Sequence, residues 1–155
     1  MYSIEERVSE SPYIERLWRS ETKDEGIFTS VASNHWSMVI WEEDGQTQFG
    51  VFGPETRATI APVVRDSVSF GVEFRIGAFM PHLPVQKLVD DRIILPPAVG
   101  KSVWLNSAVW EIPTYDNFDV FVDRLVREDM LVREPIVETS LCDFAGDVSL
   151  RTVQR

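Results

Sequence analysis

Two histidines, one cysteine and 25 acidic side chains are the groups in this 155-residue chain that chemistry could use. A metal site of the zinc type draws on closely spaced His and Cys ligands. His35 and His82 lie far apart and form no His-x-His pair, so such a site would need the fold to gather them with Glu73 or Glu111. Nucleophilic hydrolysis lacks a Gly-x-Ser-x-Gly elbow, and Cys142 is distant in sequence from both imidazoles. Leu141 and Phe144 beside it favour a small buried thiol over a reactive one. Gly-rich phosphate loops are absent. The acidic groups Glu42-Glu43-Asp44 and Asp90-Asp91 adjoin turn signals and suit solvated charges. Neither a catalytic residue nor a cofactor or metal ligand is expected, and the chain does not read as an enzyme.

Aromatic residues carry more information. Five Trp, nine Phe and three Tyr are a heavy load, and large rings line ligand pockets as readily as they fill cores. Trp36, Met38, Phe49, Phe70, Phe74, Met80 and Trp104 are the candidate walls of a pocket for a small, largely apolar molecule. His35, just before a strand, and His82, in a Pro-rich segment, could supply the polar contact that orients it. The bland alternatives are ordinary core packing for the rings and an internally satisfied or exposed imidazole for each histidine.

Short strands must position these groups. In Val68 to Ile76 every even position is apolar and every odd one polar or Gly, the pattern of a half-buried strand. Asp44-Gly45 predicts a type I′ hairpin between Trp36–Glu43 and Gln46–Phe52, with Trp36, Met38 and Ile40 on one face. Further strands are expected at 13–19, 27–32, 57–61, 93–95, 102–105 and 109–112. Strands this short and numerous suggest an antiparallel sandwich or barrel. Pro84 could open a one-turn helix through Val85, Lys87 and Leu88.

After Pro113 the period changes. Phe118, Phe121, Val122, Leu125 and Val126 make an apolar helical stripe that Asp116 could cap. The stripe suits either packing on the β-domain or, through Phe118, Phe121, Val122 and Leu125, a symmetric dimer seam. Glu134-Pro135 predicts a second helix with Val137, Leu141 and Phe144 on one side, ending near Gly146. Ser149 would cap a third, carrying Leu150 and Val153 on one side and Arg151 and Arg155 on another.

Charge narrows the partners. The formal net charge of −10 repels a phosphate backbone, so this chain alone is a poor nucleic-acid binder. The first ten residues hold four charged side chains and no apolar run, unlike a secretory signal. The longest apolar stretch, Ile93 to Val99, holds two prolines and is too short to span a bilayer. No membrane partner is expected, and a cysteine without an intramolecular partner fits the cytoplasm.

Three stretches together resemble the AraC-type bacterial transcription regulators with an amino-terminal cupin-like sensor: residues 11–20 (SPYIERLWRS), 52–59 (FGPETRAT) and 71–79 (GVEFRIGAF). Residues 150–155 (LRTVQR) look like the start of a helix in that family's helix-turn-helix region. The resemblance implies an α+β, mainly β chain: a cupin-like antiparallel β-barrel sensor over 1–113, a helical hairpin over 114–146, and the start of a truncated DNA reader over 147–155. It implies a small-molecule effector, a homodimer, and DNA contact only through the missing half, with Arg151 and Arg155 at its start. Rival readings are a small cupin-like enzyme, an isomerase or metal-dependent oxygenase, and a ligand-free oligomerisation module.

Overall fold

The alternation over residues 68–76 builds the strand at the heart of the structure, a computed structural model that describes residues 2–63 and 65–134. In chain order the first strands are β1 (Tyr2–Arg7), β2 (Ile14–Thr22), β3 (Gly26–Ser30), β4 (Ser37–Glu43), β5 (Gln46–Phe52), β6 (Thr59–Val63) and β7 (Ser67–Phe74). There follow β8 (Ala78–Phe79), α1 (Val85–Leu88), β9 (Arg92–Ile94), β10 (Ser102–Leu105), β11 (Ala108–Glu111), α2 (Phe118–Arg127) and β12 (Val132–Arg133). The protein is mainly β, and every strand pair is antiparallel.

Six strands form one sheet in the order β1-β2-β7-β4-β5-β9. Its hairpin β4–β5 turns at Asp44 and Gly45, both with positive φ (51° and 78°), as a type I′ turn demands. Period-two alternation sends Leu17, Met38, Ile40, Phe49, Val51, Val72 and Phe74 to one face, where each is at most 3% exposed. The register across the strands aligns these residues: Leu17 opposes Val72, Val72 opposes Met38, and Met38 opposes Val51.

Helix α2 and the hairpin β10–β11 cover that face. Phe118 meets Phe49 and Phe70 edge-on, with ring centroids 6.2 and 6.0 Å apart, and Phe121 packs between Phe49 (5.6 Å) and Trp110 (5.3 Å). Such tilted ring pairs add to what area burial alone contributes. One core runs from Ile14 to Leu131 and draws side chains from both sides of position 113.

Several sequence expectations change. Among the described residues no barrel closes: the sheet is open, and β3–β6, β8–β12 and β10–β11 are separate two-stranded ribbons. The physical reason is that α2 and β10–β11 occupy the space over the inner face that an opposite barrel wall would take. The cap of α2 is Asn117, not Asp116, and its Oδ1 turns back to accept from the Thr114 N–H at 2.7 Å. Strand β1 and the β8–β12 pair carry no alternation strong enough to predict them. The second and third helices expected after Pro135, with Cys142, lie outside the described residues.

One close approach fixes a loop. A Cβ on Gly53 would collide with the Leu88 carbonyl at the end of α1. Gly53 donates its N–H to the Asp91 carbonyl (3.3 Å), and Asp90 donates to the Pro54 carbonyl (2.9 Å). The Asp90 carboxylate accepts from the Thr56 N–H (2.8 Å) and hydroxyl (2.5 Å). These hydrogen bonds hold the Asp90 carboxyl below its ordinary range, since they favour the charged form.

Candidate ligand-binding site

Most candidate pocket walls are packed core. Trp36, Met38, Phe49, Phe74 and Met80 are between 0 and 4% exposed and belong to the single apolar cluster. Phe70 is half-buried and packs against that cluster, its ring at 6.4 Å from Tyr115. Trp104 faces the other way: it is 46% exposed and pairs across its hairpin with Val109, itself 47% exposed. The structure therefore does not gather the seven side chains around one opening. Alternation explains the split, because Val103 and Leu105 on the same strand point inward and Trp104 between them cannot.

The two histidines have opposite surroundings. Nδ1 of His35 lies 2.6 Å from the Phe74 carbonyl, which can only accept, so Nδ1 carries the proton. The Phe74 N–H in turn donates to the Trp36 carbonyl (2.9 Å). His35 thus clasps the start of β4 to the end of β7. Its Nε2 stands 3.9 Å from the Glu73 carboxylate, which also faces Arg16 at 3.7 Å. One of its two ring nitrogens is thus matched inside the chain.

His82 is not satisfied. Both of its ring nitrogens are shut off from water without a hydrogen-bond partner. It sits in a turn after β8, where the Leu83 N–H donates to the Met80 carbonyl (3.0 Å), between fully buried Met80 and partly buried Leu83. Burial pushes its pKa below the ordinary histidine value, which keeps the ring neutral with one donor and one acceptor. Trp110 Nε1 and Tyr115 Oη are also buried without partners, but each ring lies under an arginine: Arg124 at 3.8 Å and Arg7 at 5.1 Å. His82 stands apart because both of its polar atoms go unmatched.

The apolar stripe of α2 resolves one of its two sequence readings. Phe118, Phe121, Val122 and Leu125 are 0 to 8% exposed within the chain's own core, so these four are not open to form a dimer seam. The helix instead presents Val120, 62% exposed, to solvent. Arg151 and Arg155 lie outside the described residues. Among the described residues no three of His, Cys, Asp or Glu stand together as metal ligands. No helix of the described residues is long and apolar enough to cross a membrane.

Sequence reasoning missed Arg7. From β1 it donates to the Tyr115 carbonyl (2.7 Å) and the Asp116 carbonyl (3.3 Å), and it pairs with Asp119 at 3.7 Å. It thereby ties the sheet edge to the entry of α2. A single charged residue in a segment without clear alternation reads as a solvated charge, so no signal in the sequence marked it. Arg92 was missed for the same reason; it covers Trp41 and Phe52 on the sheet's other face, 5.9 and 5.8 Å from the two ring centroids. Comparison of the chain with protein-family models, with curated proteins and with solved structures gives no match.

Proposed function

We propose that the chain is the effector-sensing domain of a transcription regulator of the AraC type, working in the cytoplasm as a homodimer and binding a small, largely apolar molecule. The observation that carries this reading is His82. A buried polar group left without a partner costs on the order of 1 to 3 kcal/mol. Native folds keep such groups where something other than the protein completes the bond. A molecule with one hydroxyl, amide or carbonyl group on a mostly carbon frame matches a neutral imidazole flanked by Met80 and Leu83.

A route from this point to the carboxy-terminal segment supports a sensing role. Met80 directly follows β8, and β12 pairs with β8 through Val132 opposite Phe79 and Arg133 opposite Ala78. The Glu134 N–H donates to the Gly77 carbonyl at 2.8 Å. A ligand that bonds His82 better in one arrangement of β8 than another would bias where residue 134 leaves the domain. Only such unequal affinity can shift the two populations.

Tryptophan fluorescence titrated with small aromatic and aliphatic compounds, each bearing one hydrogen-bonding group, tests this. At least one should give a saturable response, and His82→Phe should weaken it by about tenfold, equivalent to about 1.4 kcal/mol. No saturable response, together with no co-purified molecule by native mass spectrometry, would defeat the reading.

A further inference from the structure

We propose that His35 and Glu73 form a binding site for a divalent transition-metal ion of the zinc class, at the end of the sheet where β4 begins and β7 finishes. The imidazole is aimed before any ion arrives. The His35 N–H donates to Ser33 Oγ (3.2 Å), and Ser33 exchanges both backbone hydrogen bonds with Glu55 (3.1 and 2.7 Å). Donation from Nδ1 to the Phe74 carbonyl then fixes the ring and its tautomer, so the lone pair of the neutral ring sits on Nε2. Metal-binding histidines are oriented in this way, by a carbonyl or carboxylate that takes the other ring N–H.

Glu73 Oε1 stands 3.9 Å from that nitrogen, and the two side chains are 19% and 21% exposed. A lone pair and a carboxylate oxygen are both acceptors, so they face each other with no donor to share. The gap is too wide for a hydrogen bond, whose heavy atoms lie about 2.7 to 3.2 Å apart. It suits an ion: one Zn–N and one Zn–O bond together span about 4 Å in line and about 3.4 Å at a tetrahedral angle. A small inward movement of the Glu73 carboxylate completes that geometry.

Charge and donor type select the ion. Arg16 steadies the carboxylate from its other side, 3.7 Å from Oε2, and is itself paired with Glu6. Glu6 and Glu73 against Arg16 leave one negative charge in this cluster, and the chain's −10 draws cations to its surface. One nitrogen and one carboxylate donor favour zinc, nickel or copper over Ca²⁺ and Mg²⁺, which take oxygen ligands throughout. With two protein ligands, water fills the remaining positions and the ion binds reversibly.

The proposal does not rest on the effector reading, and a failed ligand titration leaves it standing. Its test is isothermal titration of the whole chain with Zn²⁺, with circular dichroism to verify folding. The wild-type chain should bind saturably. Glu73→Gln keeps the side-chain shape and should weaken binding at least about tenfold. His35→Asn retains an N–H for the Phe74 carbonyl but removes Nε2, and should weaken binding as much. His82→Phe should leave it unchanged. In nitrogen-15 spectra Zn²⁺ should shift Nε2 of His35 while Nδ1 keeps its proton. No saturable binding, binding undiminished in either His35→Asn or Glu73→Gln, a loss in His82→Phe, an unmoved Nε2 signal, or displacement by an equal concentration of Mg²⁺ would each overturn the proposal.

Discussion

The pair β2–β7, inside the six-stranded sheet, and the pair β3–β6, a separate ribbon, are both antiparallel, yet their side chains meet different fates. Within the sheet, Leu17, Val72 and Phe74 are fully buried; beyond residues 23–25 and 64–66, Ile27 and Ile60 stay more than two-thirds exposed. Backbone pairing is alike in both, so pairing does not itself bury anything. What differs is the second layer. Helix α2 and the β10–β11 hairpin supply one over the sheet, and among the described residues nothing covers Ile27 and Ile60. The apolar area removed from water is the larger stabilising quantity, at roughly 25 cal/mol per Å².

The sharpest way to break this contrast is to thin the second layer. Phe118→Ala removes a ring that touches Phe49, Phe70 and Phe121, and should cost about 3 to 5 kcal/mol in urea denaturation. A loss below about 1 kcal/mol would mean that α2 does not seal the sheet. Gly71→Ala probes the sheet from its other side. A Cβ there would stand 2.6 Å from the Met38 carbonyl and 2.9 Å from Trp18, so overpacking should cost about 1 to 3 kcal/mol.

A smaller effect comes from pH. The folded pKa of His82 lies below its unfolded value, so the unfolded chain binds the proton more readily. The stability that this group permits is complete above the unfolded value, about 6.5, and falls as pH drops from there towards the folded pKa. Urea midpoints of His82→Phe should lose part of the wild-type decline below about pH 6.5. A parallel decline in both proteins would show that the ring is not kept neutral. The smallest effect belongs to the ribbon. Under monomeric conditions Ile27→Ala should change stability by no more than about 0.5 kcal/mol, and a larger loss would reveal a second layer over β3.

Much of the fold was legible where one local period dominates. The strand through Val68 to Phe74 and the stripe of α2 declare their buried faces, and Asp44-Gly45 declares its turn. The one-turn helix after Pro84 was also visible from the proline. β1 was not, because its sequence, Tyr2-Ser3-Ile4-Glu5-Glu6-Arg7, carries a single apolar side chain in its last five residues and pairs through its backbone. The candidate site was less legible. His35 and His82 look alike in sequence, and only their neighbours separate a clasped imidazole from an unmatched one.

The sequence by itself determined the antiparallel mainly β class, the β4–β5 hairpin and the amphipathic helix, because these follow from side-chain periods and turn chemistry within a few residues. Tertiary structure alone decided that α2 lies over Phe49 and Phe70, that the candidate pocket rings are mostly core, and that Ile27 and Ile60 remain exposed. A period states which face of an element is apolar; it does not state what comes to lie against that face. Burial, and with it the difference between a filled core, an unmatched imidazole and an exposed isoleucine, depends on elements distant in sequence meeting in space.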